Sequence, residues 1–264
     1  MLALNSAATG MIAQQTSVDV KANNIANLET TAFQKQQVGF VDLFYMTDKR
    51  AGYISDGSGT LAPTGVQIGL GVTIGTVYSV VDQGEPIITN QEYHMMVNGF
   101  GYFQLQDANG DYFYTRDGSF KLDPATQQIV NFQGLVLTPS IAIPNNTNSI
   151  TITDSGVVNA YVAGQATPQE IGQIQLAMFP NENGLERLGN NLLAETAASG
   201  PVIVGNPTTD YFGSIQQGML EGSNVEAVLE MTDLVKAQRT YEMCANVLEI
   251  ASEMLKDANR IVAA

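Results

Sequence analysis

Few residues of this chain have the types and spacing that a catalytic, metal-binding or cofactor-binding site requires. Asp107-Ala-Asn-Gly-Asp111 offers oxygen ligands at alternate positions, as calcium loops do, but the glycine at the sixth loop position and the glutamate at the twelfth are missing. Asn-Gly is typical of hairpin turns, so the segment predicts a hairpin. Gly69 and Gly71 resemble part of a dinucleotide-binding fingerprint, yet the missing third glycine and the alternating apolar residues on both sides favour a strand with close backbone packing.

The remaining reactive side chains are isolated. The single histidine, His94, has no Gly-x-Ser-x-Gly elbow to serve, so a structural role is favoured. The single cysteine, Cys244, excludes an internal disulfide and lies among apolar residues at helical spacing, which favours a small buried side chain. Arg116 and Asp117 precede Gly118 and are interpreted as turn residues. These residues predict no catalytic site, no metal site and no cofactor, and therefore no enzyme.

Composition narrows the class further. The 264 residues include 26 acidic and 11 basic side chains, a formal net charge of −15, which argues against binding nucleic acid or anionic membranes. Only 14% of residues are charged, so the surface is suited to being covered by other protein. No stretch approaches the roughly 18 apolar residues of a membrane span. No Lys or Arg precedes Lys21, so we expect no secretory signal peptide.

The first element of the chain is a helix predicted over residues 1–28. Its apolar seam repeats at intervals of three and four residues, with one polar member, Gln15. Asp19 and Lys21 are the only charges before Glu29, so we expect protein on most sides of this helix. The predicted seam consists of Leu4, Ala8, Met11, Gln15, Val18, Ala22 and Ile25.

A second helix is predicted over residues 225–262, with Ser223 and Asn224 available as caps. Charged residues lie off its seam, so we expect one polar side and one side against a partner helix. The seam again repeats every three or four residues and consists of Leu234, Ala237, Tyr241, Cys244, Leu248, Ala251, Leu255, Ala258 and Val262.

Between the helices, short alternating runs separated by turn residues predict an antiparallel β domain over about 66–220. Residues 48–65 are rich in Gly, Ser and Pro and are interpreted as an extended loop. The expected fold is therefore α+β, with long terminal helices paired as in a coiled coil and a β-rich middle. Burying both seams requires the two helices to pack against each other and against other copies, which favours a polymer.

Four segments resemble one family in order along nearly the whole chain. "ANNIANLETTAFQK" (22–35) and "SNVEAVLEMTDLVKAQRTYEMCANVLEIASEML" (223–255) are similar to the terminal signatures of bacterial flagellar rod and hook proteins, and "VNGFGYFQL" (97–105) and "YTRDGSFKLD" (114–123) are similar to their shared β domain. The matching motif positions are Asn23, Asn24, Asn27, Thr30, Phe33, Ser223, Asn224, Gln238 and Arg239. The family usually has glycine before this Phe, where Ala32 stands here; a positive φ would strain Ala32 by on the order of 1 kcal/mol.

The resemblance implies a structural subunit of the flagellar basal body. Residues 1–30 and 225–264 would line a hollow helical tube, 31–65 would be an extended linker, and 66–224 would form an outer domain. Chain length and the segment after the first helix are most similar to members that build the distal rod, in which that segment stiffens subunit contacts. Here the stiffening role would fall to Met46, Tyr53, Leu61, Pro63 and Gly65.

The tube would transmit torque from motor to hook and serve as an export channel. The implied partners are further copies, the proximal rod and hook proteins, the P-ring and L-ring of Gram-negative bacteria, and the flagellar type III export apparatus, which uses no cleaved signal peptide. The implied location is the periplasm-spanning rod, without membrane insertion. Two alternatives remain open: a full-length proximal rod subunit, and a secreted β-domain enzyme or adhesin whose helices dimerise.

Overall fold

The fold was examined in a computed structural model, which describes residues 2–50, 64–163 and 167–262, with the side chain of Val262 excepted. The chain divides into two compact units, each assembled from separate segments. Unit 1 comprises Met1–Ala26, Gln36–Ser79 and Glu226–Ala264, and unit 2 comprises Asn27–Lys35 and Val80–Val225.

Unit 1 contains both long helices, α1 (Leu2–Ala26) and α2 (Ala227–Val262). The 36 residues of α2 span about 54 Å at 1.5 Å per residue. Lys21 lies beside Asp233 and Gly10 beside Cys244, so the helices pack antiparallel. α1 ends two residues before the predicted position 28, because Asn27 opens a turn in which its carbonyl accepts the Thr30 N–H at 3.2 Å.

Four strands complete unit 1: β1 (Gln36–Asp42), β2 (Tyr45–Lys49), β3 (Val66–Gly69) and β4 (Val72–Ser79). β1 pairs with β4 and β2 with β3, both antiparallel. The region expected as a linker therefore begins with two strands, and β3 and β4 group with the helices. The sequence did not predict β1 and β2, because their partner strands are not adjacent in the chain: Asp42 pairs with Val72 and Lys49 with Val66. The expected loop at 51–63 lies outside the described residues.

Unit 2 is built from short antiparallel strands. The strands are β5 (Pro86–Ile88), β6 (Met95–Asn98), β7 (Tyr102–Gln106), β8 (Tyr112–Thr115), β9 (Lys121–Leu122), β10 (Ile129–Val130), β11 (Val136–Thr138), β12 (Thr147–Ile152), β13 (Val157–Val162), β14 (Gln169–Gln173), β15 (Leu176–Met178), β16 (Glu186–Gly189), β17 (Leu192–Ala194), β18 (Ile203–Gly205), β19 (Ser214–Gln217) and β20 (Met219–Glu221). The largest sheet has nine strands: seven follow the order β16-β17-β8-β7-β11-β10-β9, while β15 pairs with β7 and β18 pairs with β15. β12-β13-β14 form a second sheet, and β19–β6 and β20–β5 form two pairs.

The core of unit 2 is apolar and fully enclosed, with Met95, Phe103, Phe120, Leu137 and Ile215 at its centre. Phe103 and Phe120 meet edge to face at 5.2 Å between ring centroids, a favoured geometry for aromatic pairs. The α+β architecture predicted from periodicity is confirmed.

The hairpin predicted at 107–111 is confirmed as well, since β7 pairs with β8 and the Asp107 N–H donates to the Asp111 carbonyl at 3.0 Å. Within the described residues, no helix is long and apolar enough to cross a membrane. Over the same part of the chain, no three His, Cys, Asp or Glu side chains cluster in a way that could hold a metal ion.

Candidate assembly surface

The most enclosed positions of the contact between α1 and α2 are occupied mostly by small side chains. On α1 the buried stripe contains Ala7, Ala13 and Ser17, and a Cβ added at Gly10 would lie 3.2 Å from Cys244 Sγ. On α2 the enclosed positions include Ala237 and Ala251. Small residues let the two backbones approach closely, and for the same reason they supply few interlocking side chains.

The predicted seam faces the partner helix on α2, whereas on α1 an adjacent set of residues is buried. On α2 the seam faces α1: Ala237 and Ala251 are buried, Leu234, Cys244, Leu248 and Leu255 are half-buried, and Tyr241 and Ala258 are exposed. The side chain of Val262 lies outside the described residues. On α1 the buried stripe is the adjacent set Ala7, Ala13, Ser17, Val20 and Asn24. The predicted residues Leu4, Ala8, Met11, Val18 and Ile25 are half-buried, and Gln15 and Ala22 are exposed.

α2 carries a second apolar stripe on the side turned away from α1, which sequence analysis missed. Its members are between 45% and 76% exposed and recur at intervals that are sums of three and four residues, so the signal was present in the sequence. A soluble helix with two apolar sides is expected to be covered on both. We call this set the outer stripe; it consists of Val228, Met231, Val235, Met243, Val247, Ile250, Met254 and Ile261.

The exposed side of α1 is nearly uncharged. It presents Asn5, Ile12, Gln15, Ala22 and Asn23 among others, with Asp19 as the one charged residue. Amide and small apolar side chains accept burial at lower cost than charges, because amides can exchange hydrogen bonds with a covering surface. Both helices of unit 1 thus present surfaces suited to contact with more protein.

Asn24, the second asparagine of "ANNIAN", is fully buried within unit 1. Its Nδ2 donates to the Gln36 carbonyl at 2.8 Å and to Glu230 Oε2 at 3.3 Å, while its Oδ1 accepts the Gln36 N–H at 2.9 Å. Glu230 also forms an ion pair with Lys21, whose Nζ lies 3.1 Å from Glu230 Oε2. One amide therefore joins α1, β1 and α2, which explains why a costly residue occupies a helix interior.

Asn224 has the same role in unit 2. Its Oδ1 accepts the Lys35 N–H at 2.7 Å, and its Nδ2 donates to the carbonyls of Val80 and Asp82 at 2.8 and 2.9 Å. Ser223 Oγ accepts the Val225 N–H at 3.3 Å. The predicted capping of α2 by these two residues is therefore wrong, because their side chains bond elsewhere and the helix begins at Ala227.

The segment 27–35 is held to unit 2 through its backbone. The Ala32 N–H donates to the Glu221 carbonyl at 2.8 Å, the Thr31 carbonyl accepts Asn191 Nδ2 at 3.2 Å, and the Phe33 carbonyl accepts the Asn224 N–H at 3.2 Å. Ala32 has φ +54°, a left-handed conformation that glycine adopts without strain. The resemblance thus pointed to one of the positions where the described chain places a Cβ on a backbone suited to glycine.

The other predicted residues occupy varied positions. Thr30 Oγ1 donates to Asn27 Oδ1 at 3.1 Å, and Phe33 is half-buried. Asn23, Gln238 and Arg239 are exposed on the helices. Of the expected stiffening residues, Met46 is exposed on β2 and Gly65 is exposed just before β3, whereas Tyr53, Leu61 and Pro63 lie outside the described residues.

Arg116 is not simply a turn residue, as the sequence suggested. It is buried in unit 2, where its Nε donates to Glu221 Oε2 at 2.7 Å and its Nη2 donates to the Gly99 carbonyl. The sequence held no signal for this ion pair, because its partners are 105 residues apart. His94 Nδ1 lies 2.9 Å from Thr89 Oγ1, and burial lowers the pKa of its ring.

These features define a class of protein: a structural protein whose terminal helices are suited to being covered by further protein. Three family models match the chain. "Flagella basal body rod protein" matches residues 4–34, "Flagellar hook protein FlgE/F/G D1 domain" matches 96–160, and "Flagellar basal body rod FlgEFG protein C-terminal" matches 216–261.

Full-length relatives agree with these matches. The chain is 45% identical over 261 residues to the flagellar basal-body rod protein FlgG of Caulobacter vibrioides, covering 99% of each chain, and 42% identical to FlgG of Agrobacterium fabrum, covering 96% and 97%. It is 31% identical to FlgF of Caulobacter vibrioides, covering 96% of each. The chain belongs to the flagellar basal-body rod protein family and is a structural subunit of the bacterial flagellar rod.

Proposed function

We propose that this subunit builds the distal rod by self-assembly into a hollow helical tube. The observation that carries the proposal is the outer stripe of α2, eight large apolar side chains that α1 leaves uncovered. Extended apolar surfaces of this kind mark contacts with other proteins, and the uncharged side of α1 adds to this surface. Further copies of the same chain are the natural cover for it in a protein of this family.

In the proposed tube the terminal helices, residues 1–30 and 225–264, line the lumen, and the β-rich region 66–224 forms the outer surface. The predicted seams and the outer stripe then contribute to subunit contacts. The segment from Met46 to Gly65 stiffens those contacts, a role consistent with the exposed apolar residues Phe44, Tyr45 and Met46 at its start. The tube transmits torque from motor to hook and conducts exported subunits; the protein catalyses no reaction.

The proposed partners follow from this position. They are further copies, the proximal rod and hook proteins, the type III export apparatus and, in Gram-negative bacteria, the P-ring and L-ring. The subunit leaves the cytoplasm without a cleaved signal peptide and resides in the periplasm-spanning rod. The distal position is favoured over the proximal one because, within one organism, identity to FlgG is 45% and to FlgF is 31%.

Complementation tests this position. The chain would be expressed in two Caulobacter vibrioides strains, one lacking FlgG and one lacking FlgF. We expect swimming to return in the strain lacking FlgG and not in the one lacking FlgF. Rescue of only the strain lacking FlgF would assign the chain to the proximal rod.

Electron microscopy of the concentrated purified protein tests self-assembly independently of any host. Tubes or protofilaments are expected, whereas discrete closed dimers would support the rival hypothesis of a secreted enzyme or adhesin.

A further inference from the structure

The most enclosed part of the contact between α1 and α2 is made mostly by small side chains, which fix only weakly how far one helix is displaced along the other. Ala7, Gly10 and Ala13 follow one another at intervals of three residues on α1, and Ala237, Cys244 and Ala251 follow at intervals of seven on α2. Knob-into-hole packing sets register through the shapes of larger side chains. A shift of three residues, about 4.5 Å at 1.5 Å per residue, would bring Ala7 or Ala13 opposite Cys244.

The polar group at the other end of the helix pair does not tolerate such a shift. Glu230 is buried and receives Lys21 Nζ at 3.1 Å and Asn24 Nδ2 at 3.3 Å. Lys21 is the only basic residue in α1, so no other register offers Glu230 a cation from that helix. A shifted register would leave a buried carboxylate without its partners, among the most costly arrangements in a protein interior.

We propose that Lys21, Asn24 and Glu230 form a register lock that selects one axial position of α1 against α2. Asn24 extends the lock to β1, because its amide also bonds the N–H and the carbonyl of Gln36. Buried polar groups are known to specify register in helix pairs at some cost in stability. The lock concerns the folded subunit itself, so it does not depend on the place of the subunit in the rod.

Cys244 provides a direct measurement of register in the full-length chain. Gly10→Cys would place a second thiol within bonding reach of Cys244, because a Cβ at residue 10 lies 3.2 Å from Cys244 Sγ. Ala7→Cys and Ala13→Cys place the thiol one turn away in either direction on the same stripe. Each variant would be treated in its assembled form, in which both helices are covered and ordered, with oxidised glutathione, which accepts the two electrons and two protons of the thiols. The intrachain disulfide would be quantified by mass spectrometry.

With the lock intact, we expect the disulfide only in Gly10→Cys. With Lys21→Gln and Glu230→Gln together, which keep side-chain size but remove both charges, we expect Ala7→Cys or Ala13→Cys to form it at a rate within tenfold of Gly10→Cys. A lower melting temperature with the disulfide still confined to position 10 would overturn the proposal, since a merely structural pair would behave in that way.

The single substitution Lys21→Gln keeps the test decisive if the double glutamine variant does not fold. It removes the cation and leaves Asn24 as the remaining partner of Glu230 in the lock. We expect the disulfide to form in Ala7→Cys or Ala13→Cys as well as in Gly10→Cys. Confinement of the disulfide to Gly10→Cys in this chain would also overturn the proposal.

Discussion

At the scale of single residues, the left-handed backbone of Ala32 has an energetic consequence. Because Ala32 has φ +54°, Ala32→Gly should raise the free energy of unfolding of unit 2 by about 1 kcal/mol, the usual cost of placing a Cβ in the left-handed region. Urea denaturation followed by tyrosine fluorescence would measure this. Ala142→Gly is the matched control, since Ala142 is exposed with negative φ and its replacement should destabilise the unit. An equal loss in both variants would contradict the prediction.

His94 gives unit 2 a defined response to pH. Burial lowers the pKa of its ring below the ordinary value of 6.5; the negative charge of Asp117 opposes this with a smaller effect, and the positive charge of Lys121 lowers the pKa further. The unfolded chain therefore binds a proton at a higher pH than the folded one, and stability falls as pH drops below about 6.5. His94→Gln should remove this pH dependence. The difference in free energy of unfolding between the unsubstituted protein and the variant should therefore change between pH 7.5 and roughly 5.5.

Because His94 is the single histidine, its NMR titration measures the folded pKa directly. A folded pKa above 6.5 would contradict the predicted direction.

At the scale of elements, the sequence predicted what local periodicity controls. Both helices and the β7–β8 hairpin were found because their signals lie within one element. On α1 the buried residues lie one or two positions from the predicted seam, because residues such as Ala7 and Ala8 are chemically alike and packing alone distinguishes them. The ion pair of Arg116 with Glu221 and the pairing of β1 with β4 depend on residues distant in the chain, which no local pattern reports.

The two helices should gain most of their order from being covered. α1 and α2 contribute 25 and 36 residues, and long helices owe most of their stability to packing of an apolar face. We expect low helicity by circular dichroism in dilute monomer and a rise on assembly, while the β signal of unit 2 stays constant. A dilute monomer with both helices fully formed would contradict this expectation.

At the scale of the whole molecule, buried polar residues and exposed apolar residues have different roles. Asn24 and Asn224 use every donor and acceptor of their side-chain amides, one within each unit, so the motif that looked ill-suited to a helix joins separated chain segments. The outer stripe does not join chain segments in this way. The first feature belongs to folding of the subunit and the second to assembly, and they should be separable by mutation.

Ile250→Asp tests that separation. Ile250 is 56% exposed, so the substitution should scarcely change the unfolding of either unit, yet it places a charge in the middle of the outer stripe. Burying an unpaired carboxylate costs several kcal/mol, which should abolish polymers by sedimentation and electron microscopy. Asn259→Asp adds the same charge at an exposed polar position of α2 and should assemble normally, as should the apolar replacement Ile250→Leu. Normal polymers from Ile250→Asp would show that the outer stripe remains uncovered in the assembled rod.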